Sequence, residues 1–147
     1  MGANIVPGHN VIAVVPLLMI ATMERSLVFY IGGLGFTIQN RWAPDGHLRG
    51  CRMSLGGAPL QESTSSTGWK IADGIRGNGA ALCFQCSNAL AIYGEAAVRG
   101  ISATREPQVG NFACEVFFAD PDGYKINFSG PTNWSEETLL SGIERIL

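Results

Sequence analysis

The 147-residue sequence carries little charge and no surplus of either sign. Ten Lys and Arg stand against twelve Asp and Glu, charged residues make up 15%, and the net charge is −2. Without a basic excess to neutralise phosphates, a general nucleic-acid-binding role is not expected. The apolar set reaches 46%, which excludes intrinsic disorder, since that needs low hydrophobicity with high charge. Long apolar runs are missing. The best one, Val11 to Ala21, is interrupted by Pro16 and falls short of the roughly 18–20 residues that a membrane helix needs, so no membrane partner is expected. Met1 to Asn10 holds no Lys or Arg, so a secretory leader is not expected and the expected location is cytoplasmic. Four cysteines, Cys51, Cys83, Cys86 and Cys114, are too few for a disulfide scaffold. Histidines number only two. His9 lies in the N-terminal arm and His47 in a Pro-Asp-Gly turn, neither with a second ligand type at ligand spacing.

What the chain does have is glycine, nineteen in all, which predicts many turns and close backbone approaches. After a loose arm, Val11–Ile20 reads as a buried strand. Thr22 is an N-cap, and Met23, Leu27 and Tyr30 mark a helix face that Gly32 and Gly33 terminate. Phe36–Trp42 alternates as a strand. Leu48–Leu55 and Ala58–Ser63 form a hairpin around Gly56-Gly57. After a polar stretch the pattern returns: strand Ala80–Cys86, N-cap Ser87, a helix to Gly100, strand Ile101–Arg105, a loop over 107–111, and a hairpin of 112–119 with 124–129 around Asp120-Pro121-Asp122-Gly123. Gly57 to Gly123 is 66 residues and Thr22 to Ser87 is 65. The order strand, helix, strand, strand, strand thus occurs twice, and such a repeat decides the fold more firmly than any single motif. Neither half closes its own core easily, so the two pair. The expected organisation is a single α+β domain over 1–147: module one over 10–64, a linker over 65–78, module two over 79–130, and a short amphipathic C-terminal helix over 134–147.

Thr22-Met23-Glu24-Arg25-Ser26-Leu27-Val28-Phe29-Tyr30 followed by Leu34-Gly35-Phe36, together with Asp120-Pro121-Asp122-Gly123-Tyr124-Lys125-Ile126-Asn127-Phe128, resembles the vicinal oxygen chelate superfamily. That group includes glyoxalase I, extradiol dioxygenases and bleomycin-resistance proteins. The resemblance covers residues 11–130. It implies paired βαβββ modules whose strands form a curved mixed sheet around a cavity. It also implies that metal-dependent members take one ligand, usually His or Glu, from the first and last strand of each module. Matched by motif, those positions are Val15, Gln61, Ala81 and Asn127. Val and Ala carry no donor atom, and Gln and Asn offer only neutral carbonyl oxygens. No metal or other cofactor is therefore expected. The resemblance points to the metal-free, bleomycin-resistance-like branch.

Strand parity names the companions of Gln61 and Asn127 on the cavity face. In module one these are Arg52 and Ser54, with Val15 and Leu17 from the first strand. In module two they are Ala81, Cys83 and Gln85, then Lys125. Pairing Ala119 with Tyr124 across the hairpin adds Phe118 and Val116, then Cys114 and Phe112. Trp42 and Trp69 are stacking platforms at the rim or packing residues, and Arg52 is either a fork for a carboxylate or phosphate or a rim residue paired with an acid that the sequence does not place. Cys83-x-x-Cys86 reads as packing, because strand residues three apart face opposite sides. The expected function is sequestration of an apolar or aromatic small molecule in a metal-free cavity. A homodimer is the expected assembly, since low charge with a mean hydropathy of +0.17 suggests extra buried surface. The alternatives are a divergent lyase- or dioxygenase-type enzyme of the same superfamily, working through Arg52, bound water or, if a bulge turns it inward, Glu115, and a degenerate structural member acting through protein contacts. No paired nucleophile and base is visible to favour an enzyme.

Overall fold

The computed structural model describes residues 6–64, 76–110 and 113–133. The expected C-terminal helix, most of the expected linker, Trp69 and Phe112 lie outside them.

The repeat is real in three dimensions. Module one contains β1 (Leu17–Met19), β2 (Thr37–Trp42), β3 (Gly50–Leu55) and β4 (Ala58–Ser63) in the sheet order β1-β4-β3-β2. Module two contains β5 (Ala81–Gln85), β6 (Gln108–Gly110), β7 (Ala113–Ala119) and β8 (Lys125–Pro131) in the order β5-β8-β7-β6. In each, the first strand runs parallel to the last and the other pairs are antiparallel. The architecture is α+β, two four-stranded mixed sheets with few helices. No helix among the described residues is long and apolar enough to cross a membrane.

The helical elements differ from expectation in detail. Pro7–Asn10 forms a short helix, α1, where a loose arm was expected. Residues Met23–Leu27 are α2, which continues as a π-helical segment over Val28–Gly33. The closing glycine is a packing requirement as well as a stop. A Cβ at Gly33 would lie 2.1 Å from Ile101 Cγ1, so only glycine lets module one's helix approach the segment after α3 (Ala89–Val98). The α3 cap is Asn88, whose Oδ1 accepts the Ala91 N–H at 3.0 Å, not the expected Ser87.

Two strand expectations fail for stated reasons. The long Val11–Ile20 run pairs only from Leu17, because Pro16 has no N–H to give the ladder and contributes only its carbonyl, to Gln61 N–H at 2.9 Å. Ile101–Arg105 is not a strand; Ile101 N–H returns to the helix at Ala96 O, and Thr104 touches β7 only at Phe117 O. The edge strand β6 starts just after Pro107, in the predicted loop, and proline is tolerated at such a strand start.

The core lies between the sheets and the helices. A chain of rings crosses it: Phe29, Tyr30 and Phe36 in module one, then Phe84, Phe128 and Phe118 in module two. Successive centroids lie 4.9, 5.5, 5.8, 5.2 and 6.0 Å apart, mostly edge to face, with Phe84 and Phe128 stacked. Polar contacts fasten the same seam. The Tyr30 hydroxyl donates to Asp120 Oδ2 at 2.7 Å, the Tyr124 hydroxyl donates to Met19 O at 2.9 Å, and Asp122 Oδ1 accepts from Ala21 N–H and from Arg76. Burial pushes the Tyr30 phenol and the Asp120 carboxyl up from their ordinary values.

Candidate functional site

With helices covering one face of each sheet, the other face is left for ligands. On module one, register builds a row across the whole sheet: Leu17 beside Gln61, Gln61 beside Arg52, Arg52 beside Asn40. A second row begins with Trp42 opposite Gly50 and Gly50 opposite Ser63. Gly50 makes room for the indole, because a Cβ there would stand 3.4 Å from Trp42 Cε3 and 3.1 Å from Glu62 O. Trp42 stays about half exposed, at 49%. These residues line a groove of about 390 Å³, within the range of ligand pockets. The register thus brings together Arg52, Gln61 and Trp42, and adds Asn40, which the sequence reading missed. Asn40 could have been found by counting two residues back from Trp42. A bulge between Ile38 and Asn40 breaks that alternation further upstream.

Glu62 follows Gln61 and points to the opposite face. Its Oε2 accepts the Ser26 hydroxyl from α2, and its Oε1 is buried with no partner among the described residues. Burial pushes this carboxyl up to about 7, against the Ser26 hydrogen bond, which favours the charged form. Across the ladder Cys51 faces the same interior, and burial raises its thiol to about 11. Neither group is placed for chemistry at the groove.

Module two presents a different face. The corresponding row is Cys83, Asn127 and Phe117, flanked by the Ala81–Lys125–Ala119 row. The hairpin register corrects the parity expectation. Ala119 pairs with Lys125 rather than Tyr124, so Phe117 and Glu115 share Asn127's side. Val116 and Phe118, expected in the cavity, are 0% and 2% exposed and lie with Ile126 and Phe128 against the helices. The cause is local: Asp120 Oδ1 accepts the N–H groups of both Asp122 and Tyr124, and Asp120 N–H bonds Tyr124 O, so Tyr124 belongs to the turn and not to the ladder. Arg105 covers the Phe117 ring at 4.8 Å and donates to Gln108. Ala81 and Gln85, with exposed Cys83, line an open cavity of about 680 Å³ bordered by Val14, Pro16 and the β3–β4 turn. Val15 lies between Val14 and Pro16 but does not line it, and Asn127 lines neither hollow.

A divalent metal does not fit this face. The side chains in register with the amides are Leu17 and Arg52 beside Gln61, and Cys83 and Phe117 beside Asn127. These two rows thus offer two neutral carbonyls, one thiol and a repelling cation, and Glu115 lies in the next ligand-facing row, beside Ser129. Among the described residues no three His, Cys, Asp or Glu converge. His47 sits in its turn, its N–H bonded to Asp45 Oδ1, and Asp45 pairs with Arg49 at 2.7 Å.

Comparison with known proteins follows this geometry. Residues 11–128 match the family described as the Glyoxalase/Bleomycin resistance protein/Dioxygenase superfamily. No curated protein matches the chain. Among solved structures, TnmS3, an antibiotic binding protein from Streptomyces sp. CB03234, is similar at a TM-score of 0.64 with 22% identity, covering 84% of this chain and 100% of that one. TioX from Micromonospora sp. ML1 is similar at 0.63 with 13% identity, covering 84% and 98%. A glyoxalase/bleomycin resistance protein/dioxygenase from Nocardioides is similar at 0.66 with 19% identity, covering 90% and 91%. At these identities the likeness concerns the fold.

Proposed function

The chain belongs to the Glyoxalase/Bleomycin resistance protein/Dioxygenase superfamily, and from that premise we propose that it is a metal-free small-molecule-binding protein that sequesters an apolar or aromatic ligand. The observation that carries this reading is the groove on module one. There a half-exposed Trp42 stands beside Arg52, Gln61 and Asn40 where the metal-dependent chemistry of the family would need charged donors. Such a lining holds and orients a molecule without activating it. The name of the TnmS3 neighbour as an antibiotic binding protein supports a ligand of antibiotic size. The binding unit is a homodimer, supported by the exposed Val11, Ile12 and Val14, at 69%, 96% and 88%, which form an apolar arm beside the larger cavity. Four free thiols suit a reducing, cytoplasmic setting.

The test is thermal unfolding of the purified protein against a panel of polycyclic aromatic compounds, with and without chelator. The expected result is a saturable rise in Tm that chelator leaves unchanged, equivalent to about 2.7 kcal/mol at one hundred times Kd. Elemental analysis showing one equivalent of Fe, Zn, Mn or Ni per chain would overturn the metal-free reading. Consumption of the stabilising compound would replace sequestration by catalysis.

A further inference from the structure

We infer that the module-one groove selects planar aromatic ligands bearing an anionic group, with Arg52 as the anchor for the acid and Trp42 as the stacking surface. This deepens the binding reading above and rests on it.

On a chain of net charge −2, a half-buried arginine on a ligand-facing sheet normally finds a carboxylate. Among the described residues no acidic side chain pairs with Arg52. The nearest acid in sequence along the groove, Glu62, is turned away by strand parity and held by Ser26 on the opposite face. Glu62, whose ladder partner is Cys51, is 1% exposed, and its Oε2 is taken by the Ser26 hydroxyl. The neighbours of Arg52 in its own row are two amides, Gln61 and Asn40, which carry no negative charge and offer NH2 donors besides their carbonyl acceptors. An incoming carboxylate would meet a planar fork flanked by neutral donors, the arrangement that favours charge-assisted, bidentate bonding. Arg41 borders the groove but pairs with Cys51 on the alternate parity, so the anchoring cation on the ligand face is Arg52.

The aromatic half of the ligand follows from Trp42. Its indole packs beside Gly50, two rungs from Arg52 and on the same face, with half its surface open. A flat ring system carrying an acid can cover the indole and bond the guanidinium at once. Module two offers no duplicate of this pair. The position equivalent to Arg52 is Phe117, already covered by Arg105. Selectivity for the acid is therefore confined to module one.

The experiment compares anthracene-2-carboxylate with anthracene-2-carboxamide, which share shape and ring system and differ in charge, by fluorescence titration of the full chain at neutral pH. The expected result is about tenfold or greater preference for the carboxylate, the size of one charge-assisted hydrogen bond. Arg52→Met should bring the two affinities to within about threefold, and Arg52→Lys should restore part of the preference. Trp42→Leu should weaken both ligands by about tenfold and leave their ratio unchanged. Thermal unfolding of each variant confirms that it is folded. Equal affinity of the two compounds for the native protein, or a preference that survives Arg52→Met, would overturn the inference while leaving the binding reading intact. Binding of neither compound, against saturable binding of a neutral polycyclic compound, would do the same. Binding of nothing aromatic at all would sink both.

Discussion

The two modules share one backbone plan and differ at matched positions in a way that separates their roles. Gln61 pairs with Arg52 in module one, and Asn127 pairs with Phe117 in module two. One residue further on, Glu62 pairs with Cys51, and Phe128 pairs with Val116. At the ligand-facing position module one has a cation with no acidic partner among the described residues, where module two has a covered ring. At the core-facing position module one has a buried carboxyl where module two has a stacked aromatic. Module one thus carries polar groups on both faces of its sheet, and module two supplies apolar packing to the seam. A duplicated framework tolerates this because each rung needs only a side chain of suitable volume, while the ladder is held by backbone bonds.

The sharpest break in that comparison is at Phe128. It is 1% exposed, stacks on Phe84 at 5.2 Å and meets Phe118 edge to face. Phe128→Ala should destabilise the fold by about 3–5 kcal/mol, from lost transfer energy and the cavity left behind. Urea unfolding measures it. A cost below about 1.5 kcal/mol would mean that module two is not the apolar buttress described, since only a collapsing or unpacked site loses so little.

The next effect is a dependence on pH that module one has and module two lacks at the matched rung. The Glu62 carboxyl, raised by burial to about 7 from an unfolded value of 4.5, keeps its proton longer folded than unfolded. Its contribution is fully present below pH 4.5 and is lost as pH rises through 7. The groups facing it are Ser26 from α2, Cys51 from β3, Tyr30 from the π-helical segment, and Asp120 and Asp122 from the β7–β8 turn. Asp120 is raised too and adds a slope of the same sign, but it is present in both proteins compared. Glu62→Gln should therefore remove a decline on the order of 1–3 kcal/mol between mildly acidic and mildly alkaline pH. Paired urea titrations across that range check it, and parallel curves for the two proteins would show that Glu62 titrates normally.

The duplication was legible in the sequence because offsets of 65 and 66 residues connect motifs with strong local chemistry, two glycine turns and two helix entries. Ala58–Ser63 appears in the structure with the bounds that its two-residue glycine turn set, and the Arg52–Gln61 pairing follows from the same turn. The β7–β8 hairpin was harder. Its turn length depends on what Asp120 does with its side chain, and Asp120 draws Tyr124 out of the ladder through side-chain and backbone bonds that no alternation of apolar residues encodes. One residue of slip then sends Val116 and Phe118 to the core and brings Phe117 to the ligand face. The Ser26–Glu62 pair was equally hidden: sequence parity shows that Glu62 faces inward, but a partner 36 residues away is supplied by packing. Hydropathy mistook Val11–Val15 for strand because an exposed apolar arm and a buried strand have the same composition.

The smallest difference between the modules concerns how each helix begins. Thr22 and Asn88 both stand at N-cap positions in extended backbone. The Asn88 side chain accepts the Ala91 N–H at 3.0 Å, whereas Thr22 makes no side-chain cap bond and contributes only its carbonyl, to Ser26 N–H at 3.2 Å. An alanine keeps that carbonyl, so Thr22→Ala should cost less than about 0.5 kcal/mol. Asn88→Ala leaves an orphan donor in the first turn of α3 and should cost about 1 kcal/mol. The pair of values, read from urea midpoints at constant m, tests whether cap residues of similar type contribute through the hydrogen bond or through helix propensity alone. Equal costs at the two sites would mean that the structural distinction has no energetic counterpart. A larger cost at Thr22 would mean that module one's short helix, which passes straight into π-helical backbone, depends on its first turn more than on the ring packing that follows it.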